Sequence, residues 1–244
     1  WLASRFGRRR TMLWSVVGFT IASVLCGTAN SLTELVIYRA FQGAFGAPLP
    51  PISQAIALDT YPKHQHGTVM SIWGMGVILG PIIAPTLGGY LTETYSWRWV
   101  FYMIIPVSMM SFAGVWYFIR ARTGEREKVR LDWTGFLALC IAVGAFQLML
   151  DRGERADWFN SAEIVIEAGI AFIAFYIFIV QTFTAQQPFL SPHMLLDRNF
   201  AVGILVTLVF GMLFVTPLVL LPPLLQDLRG YPDMTIGLLL AVRS

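Results

Sequence analysis

Arg39 stands where a cation has no ordinary reason to be. It lies in "LVIYRAFQGAFGAPLPP", residues 35–51, a stretch otherwise free of charge. A charge near the middle of a membrane helix costs about 2.5–3.5 kcal/mol on insertion scales. At about 1.5 Å of rise per residue, Arg39 sits about 10 Å inside a helix that opens near residue 32. Gln42 follows at i+3 and Gly43 at i+4, so all three share one helix face. Two readings stand. The guanidinium faces a water-filled cavity and is held by the glutamine, with Gly43 keeping the face open, or it snorkels along its stem to the outer interface.

Other chemistry-bearing residues are sparser. Lys63, His64 and His66 form "KHQH", but histidines two apart do not share a helix face and no Cys or acid cluster joins them, so a solvated turn is expected and no metal site. Glu167 stands near the outer end of its apolar segment, as an interfacial carboxylate or a proton carrier. Cys26 and Cys140 sit inside apolar runs at a spacing that fits neither a metal nor a redox motif, and no disulfide is expected. No Ser–His–Asp, HExxH, phosphate-loop or dinucleotide pattern stands in a suitable context, so an enzyme is not expected.

A different feature is "GMGVILGPIIAPTLGG", residues 74–89, with five glycines, two prolines and no charge. In an ordinary helix interior glycine costs about 1 kcal/mol and proline about 3. Gly76, Gly80, Ala84 and Gly88 recur every four residues as one stripe that lets a second backbone approach closely. Pro81 and Pro85 remove the donors that would serve the carbonyls of Val77 and Pro81. A helix that must pack closely and bend is the expectation.

The elements that carry these residues follow from composition. The chain has 244 residues, 56% hydrophobic and 13% charged, against about 25% charged in soluble domains. Residues 11–33, 67–92, 99–119, 133–150, 168–196 and 199–226 hold no Asp, Glu, Lys or Arg. A helical crossing needs about 20 apolar residues. The runs predict spans at 12–29, 32–58, 67–91, 97–119, 133–150, 162–183 and 201–225, with an eighth opening near 236. This is an all-α, multi-pass membrane protein.

Orientation follows from loop charge. Eleven Lys and Arg fall in the alternate loops 1–10, 59–66, 120–132 and 184–200, and four (Arg98, Arg152, Arg155, Arg229) in the opposite loops. The first set is expected to face the cytoplasm. The net charge of +3 follows from this anchoring bias, and no nucleic-acid partner is implied. Trp97, Trp99, Tyr102, Trp158 and Phe159 fit an aromatic belt at the outer boundary. The abrupt opening "WLASRFGRRR" and the apolar end read as an internal piece of a longer chain.

Three segments carry a family resemblance. "WLASRFGRRR" resembles the loop motif of major facilitator superfamily transporters, G-x-L-A-D-R-x-G-R-R, with Ser4, Arg5, Gly7, Arg8 and Arg9 at its positions. "LVIYRAFQGAFGA" resembles the fourth-span motif. "GVILGPIIAPTLGG" is similar to the fifth-span antiporter motif and carries Gly76, Gly80, Pro81, Pro85, Gly88 and Gly89. "WRWVFYMIIP" and "LDRGERADWFNSAEI" narrow the resemblance to the fourteen-span drug:proton antiporter branch, EmrB/QacA type.

The resemblance implies two six-helix bundles around a central cavity with two extra helices between them. The chain would cover about seven spans and part of an eighth: residues 1–119 as the later part of the N-terminal bundle, 120–200 as a cytoplasmic linker plus the extra helices, and 201–244 as the start of the C-terminal bundle. It implies a role for Arg39 in proton coupling, driven by the proton motive force without a cofactor. Export of amphipathic drugs across the bacterial inner membrane follows, with a periplasmic adaptor and an outer-membrane channel as partners. An exporter of one metabolite or siderophore on the same fold is the first alternative, with a membrane-embedded enzyme or a channel behind it. Two positions depart from the pattern. Ser4 replaces the usual Asp, so it cannot form a carboxylate–arginine lock, and the question is whether Arg5, Arg8 and Arg9 gate by charge pairing or only anchor the loop. Ile104 replaces a common Asn.

Overall fold

The computed structural model describes residues 2–119, 131–186, 188–229 and the single positions 231, 235 and 239. The described residues contain helices and turns and no strand. In chain order the helices are α1 (Leu2–Phe6), α2 (Arg8–Thr28), α3 (Leu32–Gly46), α4 (Leu49–Thr60), α5 (His66–Thr94), α6 (Trp99–Tyr102), α7 (Ile104–Phe118), α8 (Trp133–Gly153), α9 (Ala162–Thr184), α10 (Pro192–Leu196) and α11 (Arg198–Arg229). Single 3-10 turns at Lys63–Gln65 and Trp158–Asn160 lead into α5 and α9. Six stretches among the described residues are long and apolar enough to cross a membrane: Arg8–Thr28, Lys63–Thr94, Trp99–Phe118, Trp133–Gly153, Ala162–Thr184 and Arg198–Gln226. The eighth expected span near 236, and residues 120–130 of the expected linker, lie outside the described residues.

The segment expected as one span over 32–58 differs. It is two helices, α3 and α4, parted at Ala47 and Pro48. Pro48, Pro50 and Pro51 carry no N–H, so the carbonyls of Ala44, Gly46 and Ala47 lose their helical donors within one turn. The chain restarts with proline in the first turn of α4, where a missing donor costs nothing. The span over 97–119 is likewise interrupted once, at Met103, because Pro106 cannot bond back to Tyr102.

Helix starts follow local chemistry. Ser31 caps α3 by accepting from the Glu34 N–H at 3.2 Å, and Glu34 Oε2 accepts from the Asn30 N–H at 2.9 Å. Asp132 caps α8 by accepting from the Gly135 N–H at 2.9 Å. Gly7 joins α1 to α2 at φ +88°, which explains a glycine there, since other L residues rarely adopt that backbone.

The chain divides into two compact units. The first takes in the described residues 2–119 together with 214–229. At its centre is α2, against which α1, α3, α4, α6 and α7 pack, while α5 packs on α4 and α6. The buried face of α2 is Thr11, Ser15, Val16, Ala22, Ser23, Cys26 and Gly27. These are mostly small side chains, so the neighbours approach closely, as helix association in lipid requires. Two glycines show how close. A Cβ on Gly18 would collide with the Phe45 ring, and one on Gly46 would sit 3.0 Å from Phe19 Cδ2. Each helix thus lays an aromatic ring over a bare stretch of the other.

The second unit is an antiparallel hairpin of α8 and α9 with the chain that follows to residue 213. Its turn is tight, with Asp157 and Trp158 at φ 59° and 50°. Arg152 bridges it by ion pairs to Glu163 and, at 3.4 Å, to Glu167.

Candidate functional site

Arg39 does not stand alone. Its Nη1 donates to Gln42 Oε1 at 3.1 Å, the i+3 partner expected from the helix register. Gln42 Nε2 in turn donates to Ser23 Oγ on α2 at 2.6 Å. Gln42 is 6% exposed and Ser23 fully buried, so the amide is fixed between the two helices. The Arg39 guanidinium lies over the Phe101 ring, 4.7 Å from its centroid. An aromatic face attracts a cation by about 0.5–2 kcal/mol, comparable to one hydrogen bond. Among the described residues these contacts are an amide oxygen and an aromatic face, neither of them an anion. Among the described residues the cation is thus positioned but not neutralised, and Arg39 itself is exposed. A Cβ on Gly43 would meet nothing within 4 Å, so that face is open, as its place beside Gln42 suggests.

The residues of "WLASRFGRRR" part company in the structure. Ser4 is exposed on α1, and Arg5 lies 5.7 Å from the ring of its neighbour Phe6. Arg8 pairs with Asp59 at the end of α4 and donates to Ala55 O at 3.3 Å. The carboxylate absent at position 4 is therefore matched by one arriving from another helix, and Arg8 does pair its charge. With side chains 43% and 41% exposed, such a pair is worth about 0–1 kcal/mol, enough to set position but little for stability. Arg9 reaches a different helix. Its Nη2 donates to Trp116 O on α7 at 2.7 Å, and the guanidinium lies over the Trp116 ring at 5.1 Å.

The glycine-rich stretch forms one unbroken helix, α5, despite both prolines. A Cβ on Gly76, Gly80 or Gly88 would meet no atom within 4 Å among the described residues. The stripe therefore faces open space here, with Pro81 and Gly89 half-exposed beside it. Pro85 lies in the helix with its side chain outside the described residues. At its opening end α5 is tied to α4 by Trp73 Nε1 donating to Ser53 Oγ at 3.0 Å and by Gln54 Nε2 to Met70 Sδ at 3.5 Å.

Lys63 and His64 lie in the 3-10 turn, while His66 opens α5 and its Nε2 contacts Tyr61 O at 2.9 Å. Trp99 lies edge-on to Tyr102 at 5.9 Å, and Trp97 edge-on to Phe101 at 6.0 Å. Sequence reasoning placed Arg98 only in a loop. In the structure its Nη2 donates to Ala29 O at 3.1 Å, closing the end of α2, and its guanidinium lies over Trp97 at 5.1 Å. It also missed Asp132. Gly135 N–H, then Gln181 Nε2 at 3.1 Å and Phe189 N–H, hold that carboxyl below its ordinary range against the opposing effect of burial. The helix-start pattern Asp before an apolar run was the available signal.

Comparison with known proteins adds the context for this arrangement. Residues 1–243 match the Major Facilitator Superfamily. The chain is 38% identical over 238 residues to the multidrug export protein EmrB of Escherichia coli K12, covering 98% of this chain and 46% of that protein. It is 34% identical over 237 residues to the fatty acid resistance protein FarB of Neisseria gonorrhoeae, covering 97% of this chain and 47% of the relative. To the multidrug resistance protein 3 of Bacillus subtilis it is 31% identical over 243 residues, covering 98% and 46%. The chain thus spans about half the length of the relatives it matches.

Proposed function

The chain belongs to the major facilitator superfamily, and on that footing we propose that it is part of a multidrug efflux transporter. It is a multi-pass protein of the bacterial inner membrane. The transporter exports amphipathic toxic compounds by alternating access, driven by protons moving inward. The observation that carries this reading is the alignment with a multidrug export protein along 98% of the chain. The positioned, un-neutralised Arg39 supports it, because a cation without a bound anion can repel or release a proton from a nearby acid as access changes. Gly76, Gly80 and Gly88 give α5 a face on which another helix can slide. A periplasmic adaptor and an outer-membrane channel would complete the route out of the cell.

The test uses the full-length protein in energised everted membrane vesicles. Adding an amphipathic drug should discharge the pH gradient. Arg39→Ala should abolish that flux, and Arg39→Lys should keep part of it, since lysine retains the charge without the planar fork of donors. Full flux in the alanine variant would reduce Arg39 to a snorkelling anchor. Drug export by the parent without proton movement would remove antiport.

A further inference from the structure

Two arginines outside the Arg39 network make the same unusual set of contacts at opposite ends of one helix pair. Arg9, in the first turn of α2, donates to Trp116 O at 2.7 Å and lies over the Trp116 ring at 5.1 Å. Trp116 is in the last turn of α7, whose final carbonyls have no helical donor. Arg98, one residue before α6, donates to Ala29 O at 3.1 Å and to Asn30 Oδ1 at 3.5 Å, and lies over Trp97 at 5.1 Å. Ala29 closes the far end of α2. Each arginine therefore brings a positive charge to the negative end of the neighbouring helix, where the dipole favours it. Each is also flattened on a tryptophan face, which limits its swing. Arg9 Nε is buried, so that guanidinium is inserted between elements rather than extended into solvent.

Between these ends the two spans are already in close contact. Gly27 of α2 abuts the Tyr102 ring so tightly that a Cβ there would collide with it. Phe101 and Val115 are buried on the opposing side, with Thr11, Ser15 and Cys26 on α2. Close packing along the length resists separation but permits sliding and rotation about the long axis. A fixed point at each end removes both motions.

We propose that Arg9 and Arg98 are positioning residues that lock α2 to the α6–α7 span at both ends, so that the pair moves as one rigid body while the transporter changes access. The inference rests on the transport reading above. Relative motion in this unit then falls to the elements with open faces, α5 above all, and the locked pair is the frame against which Arg39 and Gln42 are held. Arg8, one residue from Arg9, reaches α4 instead, so the first turn of α2 distributes its grip between two neighbours.

The experiment uses the full-length protein with Cys26 and Cys140 replaced by alanine and new thiols introduced by Gly27→Cys and Tyr102→Cys. A short bifunctional thiol reagent joins the two spans. The crosslinked protein should export drug at close to the rate of the same protein before crosslinking. In the Arg9→Gln/Arg98→Gln background the crosslink should form several-fold more slowly, and kcat for export should fall about tenfold with KM unchanged. Crosslinking should restore most of that loss, and Arg9→Lys/Arg98→Lys should lie between. Loss of export on crosslinking the parent would overturn the proposal, as would crosslink formation at the parental rate in the glutamine variant. The crosslinking rate does not depend on transport. If the unsubstituted full-length protein exports nothing, the transport reading fails while that rate still decides the lock.

Discussion

Gln42→Met removes the connection between Arg39 and α2 while keeping volume, which separates hydrogen bonding from cavity formation. Two bonds are lost. The bond from Arg39 at 3.1 Å involves a charged group, a class worth about 1.5–3 kcal/mol, but Arg39 is exposed and can recover water, which brings its share to about 1 kcal/mol. The bond to Ser23 at 2.6 Å is fully buried, and an unsatisfied hydroxyl there costs about 1–3 kcal/mol. Ser23 lies on a helix and can turn its hydroxyl to the carbonyl of Phe19, as helical serines do, so about 1 kcal/mol is the better figure. The expected destabilisation is about 2 kcal/mol. Ser23→Ala leaves only the Gln42 amide proton without a partner and should cost about 1 kcal/mol. In the double variant the two effects should overlap by about 1 kcal/mol, because they delete the same bond. The assay is reversible denaturation of the full-length protein in micelles, followed by tryptophan fluorescence, with drug export measured in parallel. Additive effects within 0.3 kcal/mol, or parental stability in Gln42→Met, would show that the chain of bonds from Arg39 to α2 carries no load.

Gly80→Val should leave this unit's stability unchanged, because its new methyls meet open space here, yet it should express, bind drug and fail to export; normal export would mean that the stripe on α5 is not a moving seam. Val77→Leu, off the stripe, should be mild in the same assay. Asp132→Ala should cost about 1 kcal/mol as a lost helix cap, measured by thermal unfolding near pH 7. Because folding lowers the Asp132 pKa, its contribution is fully present above the unfolded carboxylate range and lost as pH falls through the folded value, so the parent and variant stabilities should converge only in acid. An impermeant thiol reagent on intact cells should label Asn160→Cys and not Arg126→Cys; the reverse pattern would sink the assigned orientation.

Apolar length alone made the spans legible: α8 and α9 begin at the predicted residues and run only a few residues further. It is blind to donors, which is why 32–58 read as one span although Pro48, Pro50 and Pro51 were in plain view. Register within a helix was also legible, and the Arg39–Gln42 hydrogen bond follows from their i+3 spacing. What lay beyond reach was pairing across helices. Ser4 suggested a missing carboxylate, but nothing local connects Arg8 to Asp59, separated by 51 residues. The small residues Thr11, Ser15, Ala22 and Cys26 recur at helical spacing on α2 and form the packed face, yet the glycines of α5 drew attention first. Cheap side chains mark a face that can be approached; the sequence alone does not tell which such face is occupied.

The ion pairs of Arg152 with Glu163 and Glu167 have a bearing on biogenesis. As α8 and α9 leave the ribosome in succession, the short connection between them must cross the bilayer if it ends outside, and Asp151, Arg152, Glu154, Arg155, Asp157, Glu163 and Glu167 cross with it. Each would oppose insertion of a lone span by about 2.5–3.5 kcal/mol if held at mid-membrane. Arg152 offsets part of that cost by pairing with Glu163 and Glu167, with Ser161 already capping the second helix. The hairpin therefore enters more cheaply as a pair than either helix does alone, and the ion pairs at its turn join residues 11 and 15 apart, contacts local enough to form fast.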